Sequence, residues 1–205
     1  GKVIDIGAGT AKILAELKQQ GWQVNGVDSE PQAISLARRR GVKLILADLA
    51  KPLPFDADKF DLILCLDVLE HLENKQQMVR EIKRVVKSDG LVIISVPAYP
   101  WLFSYWDKML GHQRRYSKTT LNQLIKASGL TNRYLGFFGF FWLAPAILIR
   151  YLKSKSKQPK SDFLTTPLPW LTLPILKLLS TIESRLLKIT KLPWGLSLLC
   201  VCRKA

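Results

Sequence analysis

The chain has 205 residues, of which 48% are hydrophobic and 23% charged. That length suits one α/β domain, or one domain with an appendage, and the composition excludes disordered, collagenous and fibrous classes. The net charge of +15 is unevenly placed: 14 Lys and Arg oppose 13 Asp and Glu in residues 1–100, whereas 17 oppose 3 in residues 101–205. The basic half is expected to meet an anionic partner, whether acidic lipid headgroups, nucleic acid or a phosphorylated substrate.

Three cysteines (Cys65, Cys200, Cys202) without C-x-x-C spacing argue against a disulfide framework and a zinc knuckle, and they fit a reducing, cytoplasmic compartment. The chain opens on Gly1 and runs straight into a strand pattern, so a segment upstream of it is expected.

In chain order, residues 3–6 are a short apolar run ending in glycines. A helix over 10–20 then turns Ile13, Leu14 and Leu17 inward, with Gly21 as its stop. Residues 24–28 read as a second strand, followed by Ser29 as N-cap, Pro31 in the first turn, a helix through Arg38 and Gly41 beyond its end. Residues 42–47 form a third strand and 60–66 a fourth. Met78, Ile82, Val85 and Val86 mark the buried face of the next helix, and strand 91–96 is stopped by Pro97. Strands alternating with helices predict an α/β, doubly wound, mostly parallel sheet.

Past that point the pattern loosens. Residues 98–116 read as an aromatic-rich loop, and Ser117 caps a helix with Leu121, Leu124 and Ile125 on one face and Gly129 at its end. Residues 130–138 and 195–202 complete a seven-stranded sheet. The roughly 55 residues between them are too many for an ordinary connection. The expected organisation is therefore a domain of residues 1–138 plus 195–205, with a helical, apolar and basic insertion at 139–194. Residues 134–149 carry no charge, but they include Pro145 and fall short of the roughly 20 residues a membrane-spanning helix needs.

The chemistry begins at Val3-Ile4-Asp5-Ile6-Gly7-Ala8-Gly9-Thr10, a glycine-rich turn between strand and helix that lets a ligand approach backbone N–H groups. The dinucleotide fingerprint G-x-G-x-x-G would need glycine at position 12, where Lys12 stands, which weighs against NAD and FAD. Asp28 ends the second strand, where a carboxylate can accept hydrogen bonds from a ribose diol, and Asp48 ends the third. Carboxyl ends of neighbouring strands line one crevice, so Asp5, Gly7, Asp28 and Asp48 are expected to converge there.

On these residues, with Gly26-Val27-Asp28, Ala47-Asp48-Leu49, Phe60 through His71 and Asp89-Gly90-Leu91, the sequence resembles the class I S-adenosylmethionine-dependent methyltransferases. It is most similar to the small-molecule branch that includes the ubiquinone-pathway O-methyltransferases. The resemblance covers about residues 1–130, and residues 195–204 look like the family's antiparallel last strand. It implies S-adenosyl-L-methionine as cofactor. Asp5 with Gly7, Ala8, Gly9 and Thr10 would hold its methionine part, Asp28 and Ser29 its ribose, and Asp48 with Leu49 its adenine, while Leu66 would lie near the sulfonium. Where the family has a third glycine, this chain has Ala11.

An oxygen acceptor must lose a proton, and the chain has two histidines to take it. His71 is a candidate base, or a ligand with Glu70 to an accessory metal, or a packing residue; no metal is assigned. His112 stands in Gly111-His112-Gln113-Arg114-Arg115-Tyr116, which offers a base, two anion-binding forks and a phenol, or else is a solvated basic turn. Tyr99, Trp101 and Trp106 lie just upstream and are candidate acceptor contacts, or core.

Between residues 175 and 191 the sequence makes a cationic amphipathic helix: Ile175, Leu176, Leu178, Leu179, Ile182, Leu186, Leu187 and Ile189 share one half of the wheel, while Lys177, Arg185, Lys188 and Lys191 share the other. Such a helix packs on the domain or lies peripherally on an anionic membrane, with Trp142, Trp170, Trp194, Lys153, Lys155, Lys157 and Lys160 as anchors. The predicted acceptor is a small amphiphilic, isoprenoid or lipid-linked molecule. The rivals are a nucleic-acid methyltransferase, supported by charge alone, and a non-catalytic membrane-associated module.

Overall fold

The computed structural model describes residues 1–154 and 169–204. Alternating apolar runs place strands β1 (Lys2–Ile6), β2 (Gln23–Asp28), β3 (Ile45–Leu46), β4 (Phe60–Leu66) and β5 (Val86–Pro97) in turn with helices α1 (Lys12–Gln19), α2 (Pro31–Arg39) and α3 (Lys75–Val85). A short helix α4 (Tyr105–Met109), then α5 (Lys118–Ala127), β6 (Leu130–Phe138), α6 (Phe140–Ser154), α7 (Pro169–Ile189) and β7 (Ser197–Lys204) complete the described chain. The sheet order is β3-β2-β1-β4-β5-β7-β6. The first five strands run parallel, and β7 lies antiparallel between β5 and β6.

The period of two along β1 explains the layering. Val3 packs with Leu14 of α1 and Ala33 and Ala37 of α2 on one side, while Ile4 and Ile6 pack with Met78 and Ile82 of α3 and Leu121 and Ile125 of α5 on the other. With both faces covered, the central strands are apolar almost throughout. β6 therefore ends at the same sheet edge as the parallel strands, since it is antiparallel to β7, which is itself antiparallel to β5. The α6–α7 excursion starts and finishes at that edge.

Local chemistry moved several boundaries. Asp28 Oδ1 accepts from Glu30 N at 2.9 Å, so Glu30 rather than Ser29 takes the N-cap position of α2. Only Ile45 and Leu46 of the expected third strand pair with β2, although Val42 and Leu44 are buried. Val86 belongs to β5, not to α3, and Asn74 caps α3 by accepting from Gln77 N. Ile13 is exposed, because α1 begins only after Ala11 in the left-handed region. The aromatic-rich loop contains a 3-10 turn at Pro100–Leu102 and α4. Its ends are closed by hydrogen bonds from Tyr116 N to Pro97 O and from Tyr99 N to Tyr116 O, both 2.9 Å. No helix among the described residues is long and apolar enough to cross a membrane.

Candidate active site

At the carboxyl edge of the sheet a cleft of about 560 Å³ opens between the ends of β1, β2 and β4. Its wall takes Gly7 from the first turn, Asp28, Ser29 and Glu30 from the end of β2, and Asp48, Leu49 and Ala50 from the segment after β3. Asp67, Val68, His71 and Leu72 come from the segment after β4, and Leu110 and Gly111 close it from the loop beyond β5.

Gly7 shows why the turn needs glycine. Its φ is +71°, and a Cβ there would come 2.5 Å from the Val68 side chain. Gly7 N and Ala8 N donate to Val27 O, and Gly9 N donates to Asp28 Oδ2 at 2.7 Å, so the loop folds over a buried carboxylate. Asp28 thus accepts two backbone N–H groups and still lies on the cleft wall. Asp48 is exposed and accepts from Ala50 N.

Five of the expected cofactor residues lie off the wall. Asp5 is buried on the β1 face that carries Val3, with its carboxyl pushed up to about 7 by burial and by Asp28. Ala8 packs with α1, Gly9 and Thr10 are exposed beside the turn, and Leu66 is half-buried against the α1–α2 layer.

On the opposite wall the two histidines meet edge to face, with ring centroids 4.8 Å apart at 86°. His71 faces the cleft, and burial followed by the neighbouring His112 lowers its pKa below the ordinary imidazole value. His112 stands behind it, half-buried, with Nδ1 3.2 Å from Asp107 Oδ1. Glu70 is fully buried, its carboxylate oxygens find no hydrogen-bond partner among the described residues, and burial pushes its carboxyl up to about 8. Donor atoms of Glu70, His71 and His112 lie within 4.8 Å of one another, close enough to share a cation.

Two expected acceptor contacts are corrected by this geometry. Arg115 is buried, with Nε donating to Asp107 Oδ1 at 2.7 Å and Nη1 to Ala98 O at 3.0 Å, so its fork is already occupied. Tyr116 is also buried, its hydroxyl donating to Leu69 O at 3.0 Å, and burial raises its pKa further. Arg114 is partly exposed and donates to Glu73 O and Gln113 Oε1. Tyr99, with φ of +62°, stacks on Phe137, while Trp101 is 69% exposed and Trp106 half-buried. Sequence reasoning missed Asp107, whose only signal is its spacing of five and eight residues to His112 and Arg115. It also missed Asp67, which ends β4 much as Asp28 ends β2.

The helix pair leaves the same edge. Glu183 of α7 is buried and accepts from Gly139 N and from Phe140 N (3.1 Å), so a carboxylate from one helix satisfies the first donors of the other. Leu179 and Leu187 are half-buried on that side, whereas Leu178, Ile182, Leu186 and Ile189 are exposed together with Lys177 and Arg185. Of the six described residues of the predicted apolar arc, two are thus half-buried and four face solvent. Ile147 and Leu148 of α6 and Trp194 add to the exposed apolar surface. Lys153, Lys155, Lys157, Lys160, Trp170, Ile175, Leu176 and Lys188 lie, by chain or by side chain, outside the described residues.

Residues 4–94 match the family model described as a methyltransferase domain. An uncharacterized protein of Methanocaldococcus jannaschii is 35% identical over 118 residues, which are 58% of this chain and 54% of that one. A ubiquinone biosynthesis O-methyltransferase of Rickettsia conorii is 34% identical over 100 residues, 46% of this chain and 34% of that protein. The chain therefore spans about half, or less, of the curated relatives it matches. The crystal structure of a SAM-dependent methyltransferase from Archaeoglobus fulgidus shares the fold with a TM-score of 0.62, covering 99% of this chain and 86% of that one at 17% identity. With the glycine turn, the strand-end carboxylates and the seven-stranded order all in place, residues 4–94 match a methyltransferase domain, and the chain is similar to the class I S-adenosylmethionine-dependent methyltransferases.

Proposed function

We propose that this protein moves a methyl group from S-adenosylmethionine to a hydroxyl oxygen of a small amphiphilic acceptor, isoprenoid or lipid-linked, that it meets at an anionic membrane surface. The observation that carries the reading is the place of His71, an exposed imidazole on the cleft wall with His112 packed against it, where partial desolvation and that neighbour lower its pKa. The residues fit the cofactor: Gly7 takes the left-handed turn that keeps the backbone at the cleft wall, and Asp28 and Asp48 line the cleft where a nucleoside sugar and base would lie. When bound, S-adenosylmethionine supplies a sulfonium that is already electrophilic.

The protein then has two tasks. The cleft walls align the acceptor, and such alignment can supply roughly 7–11 kcal/mol of barrier reduction. A neutral imidazole at the acceptor wall takes the hydroxyl proton. The relatives named as ubiquinone O-methyltransferases support oxygen as the acceptor atom and an isoprenoid body. The exposed apolar and basic residues of α6 and α7, which leave the sheet at the edge where the cleft opens, support a peripheral membrane site on the cytoplasmic side.

The test incubates the protein with methyl-labelled cofactor and a cell extract. Label is expected in the organic-solvent fraction, and His71→Ala should lower its initial rate by roughly 10²–10⁴-fold while S-adenosylhomocysteine still binds. Label in nucleic acid instead would overturn the acceptor class, and an undiminished rate would overturn the base.

A further inference from the structure

We propose that Asp107 is the positioning residue of the histidine pair: its carboxylate takes the Nδ1 hydrogen of His112 and so fixes the tautomer and orientation of the ring against which His71 packs. The inference rests on the reading of His71 and His112 as the acceptor-side pair.

Asp107 has no exposed surface. Its two oxygens have distinct duties. Oδ2 accepts from Ser104 N at 2.9 Å and Ser104 Oγ at 3.2 Å, closing the N-terminal turn of α4 as a capping box. Oδ1 accepts from Arg115 Nε at 2.7 Å and faces His112 Nδ1 at 3.2 Å. Arg150 of α6 approaches Oδ2 at 3.7 Å. One carboxylate thus meets two guanidinium groups, and the hydrogen bond and charge of Arg115 outweigh burial, which holds the carboxyl below its ordinary range.

An ionised carboxylate can only accept. A neutral His112 facing it must therefore carry its hydrogen on Nδ1, which leaves the lone pair on Nε2. The ring is also tied through its own backbone, because His112 N donates to Asp107 O at 2.8 Å. With His71 edge to face on that ring, and donor atoms of Glu70, His71 and His112 within 4.8 Å, a rotation of His112 would displace the imidazole on the cleft wall. A carboxylate that served only the capping box and Arg115 would leave the imidazole free to choose its tautomer. That difference is measurable.

The experiment records ¹⁵N spectra of histidine-labelled protein above the imidazole titration range, for the parent and for Asp107→Asn, with S-adenosylhomocysteine calorimetry as the control for folding. The parent should show His112 as the Nδ1–H tautomer, and the variant should move toward Nε2–H with cofactor-product binding retained. In the labelled-extract assay Asp107→Asn should slow transfer roughly 10- to 100-fold, as when other imidazoles lose an outer carboxylate. Added to His112→Ala, it should cost little more than His112→Ala alone. A parent spectrum showing Nε2–H overturns the proposal without any variant, and so does a tautomer that Asp107→Asn leaves unchanged. If His71→Ala and His112→Ala leave transfer intact while the tautomer lock is found, the base assignment fails and the lock stands.

Discussion

Acidic residues are buried in both halves of this chain, yet they are treated differently. Before residue 98 the buried carboxyls are Asp5, Asp28 and Glu70, and two of these are pushed up toward neutrality, Glu70 with no hydrogen-bond partner on either oxygen among the described residues. After residue 98 they are Asp107 and Glu183, each engaged in structure: one by Arg115, Ser104 and His112, the other by the N-terminus of α6. The first half holds these carboxyls at or beside the strand ends, and of the three Asp28 lines the cleft. In the second half Asp107 and Glu183 fix a loop and a helix, leaving a surplus of exposed cations and apolar side chains at the surface.

That contrast is most open to attack at Glu70. Its carboxyl ordinarily titrates near 4.5 and is pushed up to about 8 here, so the folded state binds this proton more tightly than the unfolded chain does. Its contribution to stability is fully present below about pH 4.5 and is lost as pH rises through about 8. Glu70→Gln should therefore match the parent in thermal unfolding near pH 4.5 and exceed it by a few kcal/mol near pH 9. A pH-independent difference would place Glu70 among the structurally satisfied acids. A smaller effect is expected at Asp28, where Ala removes the acceptor of Gly9 N and Glu30 N and, on the proposed reading, of the ribose. Losses of roughly 1.5–3 kcal/mol correspond to about 10- to 150-fold in S-adenosylhomocysteine affinity by calorimetry.

The mildest test addresses the second half. Lys177→Gln with Arg185→Gln should weaken binding to anionic vesicles by about 2 kcal/mol at low salt, at roughly 1 kcal/mol per cation. Leu178→Ser with Ile189→Ser should reduce the salt-resistant remainder instead, and it should shift stability by less than about 0.5 kcal/mol because both side chains are exposed. If neither pair changes vesicle sedimentation, the exposed face of α7 serves something other than lipid.

How far the amino-acid order could be read follows the same division. In the first half, strand periodicity, punctuating glycines and strand-end aspartates report the same backbone, so β4 and the convergence of Gly7, Asp28 and Asp48 on one cleft were readable position by position. Ser29 misled because the Asp28 side chain bonds Glu30 N itself, a local competition that a capping preference does not anticipate. In the second half, Arg115 and Tyr116 looked like ligand-binding groups because side-chain chemistry alone does not reveal burial. Their true partners, Asp107 and Leu69 O, are set by how the loop closes between β5 and α5. The helical wheel of α7 assigned one apolar half-circle, whereas the domain covers only part of it, and the buried Glu183 on the packed side had no signature in hydropathy.

The position of the α6–α7 excursion bears on how such a scaffold diversifies. Because it departs from β6 and returns to β7 at one edge, the hydrogen-bonded ladders on either side do not depend on its length or sequence. The cleft wall draws on the ends of β1, β2 and β4, which β5 separates from the excursion's roots in the sheet order. A cassette exchanged between Phe138 and Ser197 would thus leave every residue of the cleft wall in place, provided the replacement still offers Asp107 the cation that Arg150 now supplies.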